Sequence, residues 1–138
     1  MKTLRSLSAD ECRALLRAGG IGRVGVSVGA LPAIFPVRFA LLGHDIVFPV
    51  ATGSVLADAV TNAVVAFEAD SVDDDEGTGW SVLVVGRGSA IDDAGPLDAV
   101  RELSVSPWGS ADGDQFISVP VELISGREIG GRSTTGQP

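Results

Sequence analysis

The chain is poor in several residue types from which functional sites are commonly built. Cysteine occurs once, at Cys12, which excludes an intrachain disulfide and a cysteine-based zinc site. Histidine also occurs once, at His44, so a multi-histidine metal site is excluded. A Ser-His-Asp triad would have to use His44 in a solvated turn beside Asp45, a poor place for a general base. Positive charge is scarce: 10 Lys and Arg stand against 18 Asp and Glu, a net charge of -8. Such a chain repels phosphate backbones and anionic lipid, so nucleic-acid binding is not expected. Long apolar runs are missing too. The most apolar region, Val50 to Phe67, is broken by Thr52, Gly53, Ser54, Asp58 and Asn62, so no membrane span is expected. The first dozen residues hold no continuous apolar stretch, and no signal peptide is expected.

What is present is a globular composition: 138 residues, 45% apolar and 20% charged, enough to bury a core. These features predict a soluble, acidic, cytoplasmic protein with one domain over 1–129. A Gly-, Ser- and Thr-rich flexible tail is expected over 130–138.

The chain opens with a helix. Ser8 and Glu11 form a capping box, Leu7 and Cys12 sit at the staple positions, Leu15 and Leu16 continue the stripe, and Gly19 supplies a stop. After Gly20 the texture changes to short β-type runs. Strands are expected over Ile21–Val28, Pro32–Leu41, Ile46–Val50, Val64–Asp70, Trp80–Ile91 and Gln115–Ile124, the last with Ile117, Val119, Val121 and Leu123 in phase. Trp80–Ile91 is the longest of these, with Gly86 and Gly88 marking a bulge or a close backbone approach. Pro32 and Pro36 remove ladder donors, which predicts that their strand lies at an edge or faces something other than a neighbouring strand. Short helices are expected from Ser54 and over Pro96–Leu103, and an exposed loop over Ser71–Gly79. Six strands with hairpin-length links argue a mainly β fold with short helices, a small antiparallel barrel.

Few motifs carry chemistry. Asp73 to Glu76 lack the spacing of a calcium loop and read as a solvated turn. Gly86 and Gly88 lie inside a strand, so they form no dinucleotide fingerprint, and no phosphate-loop motif occurs. Thr52-Gly53-Ser54, between a strand and a helix start, combines free amides, two hydroxyls and a Gly, and can serve as an anion cradle or simply as a cap. Arg38 shares a strand face with Ile34 and Ala40, so it must pair with a carboxylate, lie at a barrel rim or meet an anionic ligand.

Taken in order, Gly22-Arg23-Val24, Pro36-Val37-Arg38-Phe39, Ile46-Val47-Phe48 and Gly53-Ser54 form one series. Phe67-Glu68, Gly79-Trp80-Ser81-Val82, Gly86-Arg87-Gly88, Pro107-Trp108 and Gly126-Arg127 complete it. Over roughly Leu7 to Ile129 this order resembles the pyridoxamine 5'-phosphate oxidase-like proteins, the flavin-binding split β-barrels. The resemblance implies a homodimer with FMN, or a deazaflavin in some branches, at the subunit interface. It places Pro36, Val37, Arg38 and Phe39 along the flavin ring and Thr52, Gly53 and Ser54 at the phosphate. Trp108 covers the flavin across the dimer or plugs the barrel end, and Trp80, in phase with Val82 and Val84, packs in the core.

This sequence departs from its relatives at the phosphate. They often carry a basic residue and a hydroxyl where Pro49 and Val50 stand, and Lys where Val55 stands. Each missing cation removes a charge-assisted bond worth roughly 1.5–3 kcal/mol. Relatives also tend to have a neutral amide in place of Arg38, which here compensates or blocks the ring site. The functions implied, in order, are an FMN-dependent oxidoreductase or flavin carrier, a cofactor-less dimeric binding module, and a deazaflavin-dependent reductase. No catalytic side chain and no substrate can be named, and no metal is implied.

Overall fold

The capping signal at Ser8 is realised in a computed structural model that describes residues 3–91 and 115–130. Ser8 Oγ accepts from the Glu11 N–H at 3.1 Å and the Glu11 carboxylate accepts from the Ser8 N–H at 2.8 Å. These bonds start helix α1, Ala9–Leu16, whose Cys12 and Leu16 are fully buried. The Ser8 amide, followed by Arg5, holds the Glu11 carboxyl below its usual pKa. Strand β1, Thr3–Leu7, precedes the helix. Its exposed, non-alternating side chains gave no sequence signal; it forms by pairing with the distant Gly126–Gly130.

The remaining strands are β2 (Gly20–Val28), β3 (Leu31–Leu42), β4 (Asp45–Val50), β5 (Val64–Asp73), β6 (Thr78–Arg87), β7 (Ser89–Ala90), β8 (Gln115–Pro120) and β9 (Leu123–Gly130). Helix α2, Val55–Val60, lies between β4 and β5. The described strands pair antiparallel throughout, in the order β1-β9-β6-β5-β2-β3-β4-β8-β7. Curled on itself, this sheet is a split β-barrel. Alternate residues from every long strand fill its interior, among them Val24, Phe39, Phe48, Phe67, Val84 and Ile117. Phe39 and Phe67 meet edge to face with centroids 4.8 Å apart, a favoured aromatic geometry. Trp80 packs against the same core, as its phase implied.

Several expected boundaries shift. The ladder continues through Ser71↔Trp80, Val72↔Gly79 and Asp73↔Thr78, so the loop expected over Ser71–Gly79 shrinks to a turn at its middle. Main-chain pairing needs no apolar alternation, and these exposed residues therefore looked like loop. The strand expected over Trp80–Ile91 breaks at Gly88 into β6 and β7, and the longest strand is β3, with 12 residues. A side chain at Gly86 would collide with the Pro120 carbonyl, and one at Gly88 with the Val60 carbonyl. Backbone-to-backbone approach is the reason for both glycines. The strand expected over Gln115–Ile124 also divides. The Val121 N–H turns away to bond the His44 carbonyl at 2.9 Å, and Leu123 begins β9 at 67% exposure, out of phase with Ile117 and Val119. The helix expected over Pro96–Leu103, Trp108 and residues 131–138 lie outside the described residues.

Candidate functional site

The split in the barrel is written in two prolines and one turn. Gly29-Ala30 joins Val28 to Leu31 directly across a two-residue turn. Hydrogen-bonded pairs with β2 therefore fall on Leu31 and each second residue after it. The even-numbered residues of β3 point their N–H and C=O the other way. At Ala40 and Leu42 that side is taken by Val47 and Asp45 of β4. The next partner would set Arg38 against Pro49, which has no N–H to donate, and the ladder ends at Ala40↔Val47. Beyond it β4 runs on beside β8 through Val50↔Gln115, while residues 31–39 keep only β2. β3 is therefore not an edge strand, since it lies between β2 and β4; among the described strands only its first part, residues 31–39, has one open flank.

The sequence-predicted site residues divide on this flank. Val37 and Phe39 are 4% and 3% exposed, with side chains in the core, so only their main chain lies near the split. Pro36 is exposed and Arg38 half-buried. The Arg38 Nε is buried and finds no hydrogen-bond acceptor. An unmet buried donor costs about 1–3 kcal/mol, so this nitrogen is a place where an anion or carbonyl would be well received. The residues beside it on the same face are Pro36 and Ala40 along β3 and Ile21 across on β2, none of them acidic.

Beyond Val50 the chain turns back. The Ser54 N–H donates to the Ala51 carbonyl at 3.0 Å. Gly53 sits at φ 79, the left-handed conformation that the third position of this turn demands. A side chain there would touch nothing within 4 Å, so the turn faces open space. Ser54 Oγ accepts from the Ala57 N–H at 3.0 Å and caps α2. The cap reading of Ser54 therefore holds, and its hydroxyl can still donate. Val50 is buried, whereas Val55 is 56% exposed at the helix start.

A second cluster lies elsewhere on the outer sheet face and was not foreseen as a site. Arg23 reaches Glu68 at 3.2 Å and Asp70 at 3.5 Å. Burial, then the hydrogen bond and charge of Asp70, push the Glu68 carboxyl up to about 7, against the opposing pull of Arg23. Next to it a groove of about 560 Å³ is lined by Leu4, Ser6, Glu68, Ser81, Leu83, Ser125, Gly126 and Arg127. The alternation of Glu68 and Asp70 was visible in sequence; their meeting with Arg23 depends on the β2–β5 register. His44 occupies a turn, and the neighbouring Asp45 carboxylate accepts from Ser118 Oγ at 2.9 Å. No cluster of metal-ligating side chains occurs among the described residues.

Comparison with known proteins gives this geometry a family. A family model described as pyridoxamine 5'-phosphate oxidase matches residues 8–128. An uncharacterized protein of Mycobacterium tuberculosis is 31% identical over 134 residues, covering 94% of this chain and 88% of the relative. Among solved structures, the FAD binding protein from Mycobacterium smegmatis is similar at 29% identity and a TM-score of 0.71, over 91% of this chain and 98% of that one. A FAD-binding protein from Mesorhizobium loti shares the fold, with a TM-score of 0.76 at 22% identity, over 94% of this chain and 99% of that one. The fold class is that of the split barrels. The chain belongs to the pyridoxamine 5'-phosphate oxidase family.

Proposed function

We propose that this protein binds a flavin nucleotide along the open flank of β3 and acts as a flavin-dependent oxidoreductase or a flavin carrier. The observation that carries the reading is the split itself, an open strand edge with an orphaned Arg38 Nε and a glycine turn facing open space beyond it. The pyrimidine edge of a flavin offers alternating acceptors and a donor. The outward Arg38 N–H can donate to a ring carbonyl and the outward Arg38 C=O can accept from the N3–H beside it; Pro36 has no N–H to add a further donor. Val37 and Phe39 hold this edge rigid from the core side. The Gly53 amide and the Ser54 hydroxyl, in the turn that begins with Thr52, meet the phosphate, with Arg38 adding positive charge at the phosphate or at the ring. The bound flavin would supply two-electron chemistry, and the protein binding, orientation and electrostatics.

The similar protein named as FAD binding supports a flavin as the ligand; our reading takes FMN, with FAD as the longer alternative. The exposed Leu4, Leu83 and Leu123 on the outer sheet face suit a homodimer, across which Trp108 would cover the ring. No helix among the described residues is long and apolar enough to cross a membrane. The test is a visible spectrum of the purified protein, then titration with FMN, FAD and a deazaflavin while tryptophan emission is read. Micromolar or tighter binding of FMN or FAD is expected. Binding of none would replace this reading with a cofactor-less binding module, which Pro49, Val50 and Val55 would then explain. Preference for the deazaflavin would make the protein a deazaflavin-dependent reductase.

A further inference from the structure

We propose that Arg38 sets the redox preference of this site by holding the negative charge of the reduced flavin at the ring's pyrimidine edge. The proposal rests on the reading that a flavin lies along β3. Two sources of negative charge compete for the guanidinium, the phosphate and the reduced ring, and position favours the ring. Arg38 lies on the strand, opposite the point where Pro49 ends the ladder. The turn that would take the phosphate starts at Ala51, two residues or roughly 7 Å further along β4. The Arg38 Nε is already buried beside the strand and has no acceptor. Among the described residues no neighbour neutralises it, since Pro36, Ala40 and Ile21 are apolar and the acidic pair Glu68 and Asp70 is held by Arg23 at 3.2 and 3.5 Å.

The chemistry is that of differential binding. A flavin reduced by dithionite takes up two electrons and one proton at its N5, leaving one negative charge spread over N1 and the neighbouring carbonyl oxygen. The oxidised ring is neutral there. A fixed guanidinium at that edge binds the reduced form more tightly than the oxidised form, and only this difference shifts the potential. Relatives with a neutral amide in place of Arg38 would lack the difference.

Riboflavin, which has no phosphate, separates the two roles. Wild type, Arg38→Gln and Arg38→Lys are each titrated with riboflavin and with FMN, oxidised and dithionite-reduced, and circular dichroism checks the fold. Arg38→Gln is expected to lower the ratio of reduced to oxidised affinity by about tenfold with both ligands, equal to about 30 mV for a two-electron couple. Arg38→Lys should keep part of it. An unchanged ratio, or a loss confined to FMN and equal in both oxidation states, would overturn the assignment while leaving flavin binding intact. Absence of flavin binding by wild type would overturn the site itself. If Arg38→Gln does not fold, sulfite addition to N5 of the wild-type flavin decides. A fixed cation at this edge promotes the adduct, and failure to form it would contradict the proposal.

Discussion

At Arg38 a charged side chain stands on a strand face with, among the described residues, no acid beside it and one nitrogen buried without an acceptor. Nothing structural depends on it among the described residues, and Arg38→Ala removes the unmet donor, so the melting temperature should not fall. Flavin affinity should fall at least about tenfold, the loss of one charge-assisted bond of roughly 1.5–3 kcal/mol. Fluorescence titration and a thermal melt of the same preparation check both. A loss of stability without ligand would mark Arg38 as structural. Glu68 makes a different prediction. Its carboxyl is raised from 4.5 to about 7 in the folded protein, so the native state holds a proton there that the unfolded state releases. Stability from this group is present below pH 4.5 and is lost as pH rises through about 7. Melting temperature measured across this window should fall more steeply for wild type than for Glu68→Gln.

Elements show what the residue series could and could not foretell. The start of α1 was legible because a capping box is local, and Ser8→Ala should cost about 1 kcal/mol in a denaturant melt without changing flavin affinity. The two-residue turns at Gly29 and Gly43 and the Ser54 cap were legible for the same reason. Strand limits were not, because pairing with a distant partner decides them. β1 exists through β9, the Ser71–Asp73 extension exists through Thr78–Trp80, and Gln115–Ile124 divides because Val121 bonds His44. The glycines inside Trp80–Ile91 did announce a close approach, though not its partners. Gly86→Ala would force a methyl group onto the Pro120 carbonyl. Its destabilisation should be about 1–3 kcal/mol, and no flexible side chain is available to yield. Of the candidate site, the strand and the turn were legible. What Pro49 does was not: read as a missing cation, it is also the residue that ends the β3–β4 ladder and opens the flank.

For the whole molecule, the split barrel leaves one broad sheet face carrying Leu4, Leu83, Arg23, Glu68, Asp70 and Arg127, with apolar and charged groups of both signs side by side. On the function proposed above, a second copy would meet this face and complete the flavin site. Leu83→Asp should therefore shift the protein from dimer to monomer in analytical ultracentrifugation and weaken flavin binding with it, while a dimer that survives the change would place the interface elsewhere. The most direct measurement of the central claim is an amide-resolved NMR titration of the protein with FMN. Flavin along β3 predicts that the amides of Ile34, Arg38, Gly53 and Ser54 shift first and saturate together at micromolar ligand. Saturable shifts confined to other strands, or no shifts at all, would contradict it.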